Sequence, residues 1–285
     1  LISHVTFKNP TSAREHLQLR AFDSVSGVDY ASGGVGYTIV SDNALEENAS
    51  NTFYTVRTCV DAGCNCGLSP SSCGDNTEGT IVSTHDYIFE RNFHYWPHGT
   101  AATKSGIYEI QGGDVTVRNN VLDLQGGATG AVTLVVALGE PLSKVSGSTQ
   151  TGNVQVYNNT VYFNDPSSST FTFGGVNTYA GTGCPNGCFA RNNLLVAPNF
   201  TGTVSNSSAF PASNNLLLRT PNPFVTTVPA RGLTDSADFR LAPNSTPIDA
   251  GYNFVAGTDI DGFVYDDALG LCRSDGQWDI GAFEY

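Results

Sequence analysis

"VRNNVLDL", residues 117–124, sets two asparagines inside a stretch that otherwise reads as β-strand. Asparagine is depleted in strands and tolerates the left-handed backbone region better than most residues. The chain repeats the arrangement in "VYNNTVYF" (156–163), "ARNNLLVA" (190–197) and "ASNNLLLR" (212–219). Weaker copies are "VSDNALEE" (40–47) and "FERNFHYW" (89–96). In each, one asparagine stands before an apolar or β-branched residue: Asn43, Asn92, Asn120, Asn159, Asn193 and Asn215. "HVTFKNP" (4–10) parallels "TVYFNDP" (160–166) and carries the series to the first residues. Intervals of roughly 20–50 residues with variable insertions mark a solenoid or array.

Almost no segment has the 3.6-residue period of a helix. The flanks alternate or run apolar in short pieces, as in Val115 and Val117, Val132, Leu134 and Val136, or Val154 and Val156. Gly, Asn, Ser and Pro bound these pieces, which is the pattern of short strands. A short strand, a sharp bend and another short strand make one side of a parallel β-coil. The bend needs a residue that accepts positive φ, and asparagine does so while its amide bonds the backbone. Stacked carboxamides then bond from coil to coil. The expectation is six or seven coils with Asn120, Asn159, Asn193 and Asn215 in one column at one corner. Val121, Leu194 and Leu216 are expected to stack in the core beside them.

On these residues the sequence resembles a right-handed parallel β-helix of the pectate-lyase-like superfamily. The tail resembles the C-terminal end of bacterial extracellular β-helix-repeat proteins, through "STPIDAGYN" (245–253), "DIDG" (259–262) and "DIGAFEY" (279–285). The resemblance implies an all-β, single-stranded right-handed parallel β-helix with irregular loop insertions. Coils would occupy 1–220, with a Cys-rich insertion at about 48–80. A last coil, with "DFRLAP" (238–243) as its strand, and a C-terminal capping segment would fill 221–285, because an uncovered final coil leaves unpaired backbone. The fold hosts many activities and names none.

The charge balance narrows the partners. Asp and Glu number 26 against 13 Lys and Arg, for a net charge of −13. Such a surface repels nucleic acid and anionic membranes, and it disfavours a polyanionic substrate unless a local basic cleft exists. No apolar run reaches the roughly 18 residues of a membrane span. The chain holds no Met and no signal peptide, so the expectation is a mature or trimmed chain whose upstream part is absent.

Seven cysteines fall in clusters: Cys59, Cys64, Cys66 and Cys73; Cys184 and Cys188; and Cys272 alone. The spacing is not a pair of CxxC knuckles and no His is near in sequence, so disulfides are favoured over zinc. Cys184–Cys188 is the expected pair, and an exported compartment follows. The odd seventh leaves at least one thiol free or paired between chains.

Enzymes of the resembled superfamily cut acidic polysaccharides. Their Asn-Thr-Asp, paired Asp, Gly-His-Gly and Arg-Ile-Lys signatures, and the paired basic motif of calcium-dependent lyases, have no match at a corresponding place. The densest reactive cluster is "HDYIFERNFHYWPHG" (85–99). Side chains alternate along a strand, so His94, Trp96 and His98 would share one face. Three readings stand for this cluster. His94 and His98 are metal ligands, or His94 and Tyr95 with Glu90 supply acid and base for β-elimination. Trp96, Tyr95 and His98 stack on sugar rings. Or the stretch is plain structure, with a polar outer face and Phe89 and Phe93 pointing inward.

Asp259, Asp261 and Asp266, in "GTDIDGFVYDD" (257–267), open like a calcium loop without the twelfth-position Glu of an EF-hand. The alternative is a tight turn with aspartates bonding the backbone. No cofactor is required, and calcium is the one the sequence offers. Asn158 and Asn199 head glycosylation sequons that are expected to be empty. The functional expectation is a non-enzymatic extracellular or cell-surface protein of surface structure, adhesion or assembly, with other copies or other proteins as partners. A polysaccharide lyase or glycoside hydrolase is the first alternative, and a carbohydrate-binding module the second.

Overall fold

The computed structural model describes residues 1–8, 17–22, 38–46, 56–61, 87–96, 107–110, 115–124, 134–138, 154–163, 170–176, 188–205, 211–220, 222–225, 236–253, 267–270, 273 and 277–285. Among them the chain is nearly all β, and every pairing between named strands is parallel. The first sheet holds β1 (Ile2–Ser3), β4 (Thr38–Ser41), β7 (Tyr87–Glu90), β10 (Val115–Arg118), β13 (Val154–Tyr157), β16 (Phe189–Arg191) and β19 (Ala212–Ser213). The second holds β2 (Thr6–Lys8), β5 (Ala44–Glu46), β8 (Phe93–Trp96), β11 (Val121–Leu124), β14 (Thr160–Phe163), β17 (Leu194–Val196) and β20 (Leu216–Leu218). The third holds β3 (Leu17–Phe22), β6 (Val56–Asp61), β9 (Tyr108–Ile110), β12 (Leu134–Leu138), β15 (Thr170–Val176) and β18 (Thr203–Val204). The chain visits the sheets in rotation, so each circuit is one rung and the described strands make seven rungs.

The corner between the first two sheets is built by two residues with divided roles. Positive φ belongs to the first: His4, Asp42, Arg91, Asn119, Asn158, Asn192 and Asn214, at 50–58°. The second carries the ladder. The backbone N–H and the Nδ2 of Asn120 both donate to Asn159 Oδ1 at 3.0 Å. Asn120 Nδ2 also donates to Phe89 O, one rung back, at 2.9 Å. Asn43, Asn92, Asn159 and Asn193 repeat this pattern, and Asn215 accepts from Asn193. The expected column of asparagines is therefore present. The expectation that asparagine takes up the positive φ holds in four rungs, at Asn119, Asn158, Asn192 and Asn214, the first of each pair; in the others the residue is His4, Asp42 or Arg91. At rung one Val5 occupies the ladder position, its N–H donating to Asn43 Oδ1. Thr6, not His4, shares a register column with Thr160, so the sequence parallel at the start is shifted by two residues.

This corner resets the alternation of side chains. Counting from the ladder residue, inward positions are three before and two after, as in Val117 and Leu122 around Asn120, or Val156 and Leu195 in later rungs. Phe89, Val117, Val156 and Ala190 stack with Leu45, Leu122, Val161 and Leu195 in one fully buried interior. Burial of each aliphatic or aromatic side chain there contributes about 1.5–3 kcal/mol. Val121, Leu194 and Leu216 follow the ladder directly and face outward, which corrects the expectation that they line the interior.

Val121 and Leu194 are buried all the same, and Leu216 half-buried, because the tail packs against them. Phe93, Tyr95, Val121, Tyr162, Leu194 and Val196 form a second apolar cluster with Phe224, Phe239, Leu241, Ile280, Ala282 and Phe283. The tail is welded to the rungs by polar bonds: Gly281 N–H to Asn192 O at 2.7 Å and Ala282 N–H to Thr160 Oγ1 at 2.8 Å. Its two resembling motifs clasp each other. Gly251 N–H donates to Trp278 O and Ile280 N–H to Pro247 O. Asp279 accepts from the N–H groups of Asp249 and Tyr285 at 2.7 Å. Gly251 has no room for a side chain, since a Cβ would meet Trp278 O at 2.6 Å. Buried Arg273 closes the knot, reaching Glu284 at 2.6 Å, Gly281 O at 2.8 Å and Asn119 Oδ1 at 3.3 Å.

Candidate functional site

Rung three, "YIFERNFHYW" (87–96), contains the reactive residues singled out above, and the corner rule decides where each points. Phe89 faces inward as expected, whereas Phe93 is outward beneath the tail, 6.1 Å from the Phe239 ring centroid. His94, two past Asn92, is therefore inward. It is 2 % exposed, and its Nε2 lies 2.5 Å from Tyr108 OH with the rings edge to face. Burial pushes the Tyr108 hydroxyl well above its ordinary pKa, with a bond from Asn92 acting in the other direction. Tyr95 points the opposite way and is buried under the tail. Glu90 is on the outer face of the first sheet. The acid–base trio of His94, Tyr95 and Glu90 thus falls on three different sides of the chain. The reset at the corner is the reason. Trp96 is in β8 by its backbone, and His98 lies outside the described residues.

Glu90 instead belongs to a chain of charges that crosses three rungs and ends on a hydroxyl in a fourth. Arg91, in its left-handed corner, grips Asp42 through Nε and Nη2 at 2.9 and 3.1 Å. Its Nη1 is 2.8 Å from Glu90 Oε1. Arg118 takes Glu90 Oε2 through Nε and Nη2, both at 2.9 Å, and turns Nη1 to Tyr157 OH at 3.0 Å. Burial pushes the Asp42 carboxyl up, but the bonds and charge of Arg91 outweigh it and hold the group below its usual value. Glu90 and Arg118 are almost wholly buried. Buried pairs of this kind are costly to break from one side. An incoming uronate would have to displace Glu90 from two arginines.

A second outer cluster was not legible in sequence. The Arg191 guanidinium lies 4.8 Å from the Phe189 ring centre and 5.1 Å from that of Tyr252. Asn192 fixes Tyr252 by bonding both its N–H and its C=O at 2.8 Å. Tyr252 remains 44 % exposed. The partners are 60 residues apart, which is why no local pattern signalled them.

No protein-family model matches the chain, and no curated protein matches it.

The remaining sequence candidates are placed as follows. Asp259, Asp261 and Asp266 lie outside the described residues, as do Cys64, Cys66, Cys73 and Cys184. Their neighbour Asp267 is buried and caps backbone, accepting from Leu269 N–H at 2.8 Å and Glu284 N–H at 3.3 Å. Among the described residues no group of three or more His, Cys, Asp or Glu could hold a metal ion. Cys59 is in β6 by its backbone. Cys188 is inward and buried, its Sγ accepting from Val154 N–H at 3.3 Å. Among the described residues no helix is long and apolar enough to cross a membrane.

Proposed function

We propose that the chain is a right-handed parallel β-helix of the pectate-lyase-like kind that works without catalysis at the cell exterior, in surface structure, adhesion or assembly. The observation that supports this most is the dispersal of rung three: His94 inside, Tyr95 under the tail and Glu90 locked between Arg91 and Arg118. General acid–base work needs its groups within about 3 Å of a shared substrate proton, and these three share no surface. The acidic charge balance and the reading of Cys184 and Cys188 as a disulfide pair support the exported compartment. Calcium at Asp259, Asp261 and Asp266 belongs to the same proposal as a structural ion only.

The test is incubation with pectin, alginate and glycosaminoglycans, watching for unsaturated or reducing ends. No turnover is expected. Turnover abolished by His94→Ala would install the alternative, a polysaccharide lyase or hydrolase.

A second reading, glycan binding without turnover, is favoured by the exposed Tyr252 ring beside Arg191. Aromatic faces of this kind stack on sugar rings. It requires binding on a glycan array that is lost in Tyr252→Ala. Trp96, Tyr95 and His98, the aromatic set named from sequence, would be the competing location, and Trp96→Ala separates the two.

A further inference from the structure

One outer column of the first sheet runs Glu90, Arg118, Tyr157, Arg191 and Ser213, one residue per rung from the third to the seventh. Its single acid is spent early. Glu90 serves Arg91 and Arg118, and Arg118 turns Nη1 to Tyr157 OH. Arg191, two rungs beyond Arg118, has no acid beside it in the column.

Other arginines that lie against aromatic rings are also hydrogen-bonded. Arg219, 5.9 Å from the Phe200 ring centre, donates to Phe200 O and Gly202 O. Arg273, 5.7 Å from that of Trp278, donates to Glu284 and Gly281 O. The Arg191 guanidinium differs. Among the described residues it makes no hydrogen bond and no ion pair, and its contacts are the rings of Phe189 and Tyr252. The site is open to solvent, since Arg191 is half-buried, Ser213 exposed and Tyr252 44 % exposed.

We propose that Arg191 anchors a protein interface and receives one carboxylate, the aspartate or glutamate side chain of a partner chain whose flanking residues pack on the Tyr252 ring. This deepens, and rests on, the assembly reading, and it competes with the glycan reading for the same ring. A guanidinium presents a planar fork of five N–H donors, which a carboxylate matches with two parallel bonds. The cation is isolated: the rungs on either side, about 4.8 Å away, set Tyr157 and Ser213 beside it. A polymer with a charge on every sugar would meet this one cation and otherwise a chain of net charge −13. A lone acid fits the site and a polyanion does not. The same net charge sets two copies of this chain against each other, and it favours a partner whose acid stands in a basic segment. Arginine and tyrosine are the residue types that most often carry interface energy.

The probe is a short peptide with one glutamate flanked by lysines, titrated against the 285-residue protein labelled with nitrogen-15 arginine and followed at the guanidinium signals by NMR. The Arg191 signal, identified as the one missing from Arg191→Gln, is expected to shift and saturate. The glutamine version of the peptide should bind about tenfold more weakly. Arg191→Lys, which keeps the charge but not the fork, should weaken the glutamate peptide, and Arg191→Gln should lose it. Neither variant should lower the melting temperature much, because no polar bond is broken. Absence of saturation, equal binding of the two peptides, or unchanged binding to Arg191→Gln would overturn the proposal. Tighter binding of oligogalacturonate than of the peptide would give the site to a glycan. Self-association of the free protein that Arg191→Gln abolishes would give it to a second copy, and either result overturns the choice of partner. No turnover assay is involved, so failure of the peptide leaves the non-enzymatic reading standing. Glycan turnover would defeat that reading without altering the titration.

Discussion

Gly281 stands so close to Thr160 that a Cβ on the glycine would fall 2.7 Å from the threonine Oγ1. Its φ of +111° is also closed to most side chains. Gly281→Ala should therefore lift the tail from the rungs at a cost of about 1–3 kcal/mol. Thermal melting should show a lower transition. Limited proteolysis should release the tail before it attacks 115–124.

Asn159 and Asn215 make the same motif at different depths. Asn159→Ala strands two buried donors of Asn120 and removes bonds to Val117 O and Asn193 Oδ1. Each buried group left unsatisfied costs roughly 1–3 kcal/mol. Asn215 is only half-buried, so Asn215→Ala admits water to the Asn193 donors it leaves behind and should cost about 1 kcal/mol. Urea denaturation of the two variants should rank them in that order, and equal losses would refute the depth argument.

The ladder was legible because it repeats locally, six times, around a residue that strands avoid. Facing direction was not. Period-two alternation runs through a strand but not across a corner where one residue turns left-handed, so Phe93 and Val121 read as interior and His94 as surface. The tail compounded the error: Val121 and Leu194 are apolar because they pack with Ala282 and Phe283, a contact between residues far apart in sequence that no local window displays. The motifs "IDAGYN" and "DIGAFEY" were visible, yet their meaning as a mutual clasp depends on Gly251 meeting Trp278.

Glu90 and Arg118 give a further expectation. Arg118→Met leaves the Glu90 charge buried with only Arg91, and should destabilise by about 3–5 kcal/mol. Adding Glu90→Gln should recover much of that loss. Chemical denaturation of the single and double variants measures the coupling, and additive losses would mean the pair is screened.

Alkaline pH should loosen the chain. Burial raises the hydroxyls of Tyr108, Tyr87 and Tyr162 above their ordinary value of 10.0. In the unfolded chain they lose protons from about pH 10, whereas the folded chain keeps them, so stability is full below pH 10 and falls as pH rises beyond it. Urea midpoints at pH 8, 10 and 11 should decline only over the last interval, and Tyr108→Phe should flatten the decline.

Successive ladder asparagines are 49, 28, 39, 34 and 22 residues apart, yet their bonds are all 2.9–3.2 Å. The corner is indifferent to how much polypeptide separates it from the next. Loop closure costs only about 0.6 kcal/mol for each doubling of length, so the third-sheet side of each rung can absorb insertions while the corner keeps count. The architecture works as a spine with interchangeable inserts: foreign sequence belongs between rungs, and two consecutive residues per rung are what such a graft must leave alone.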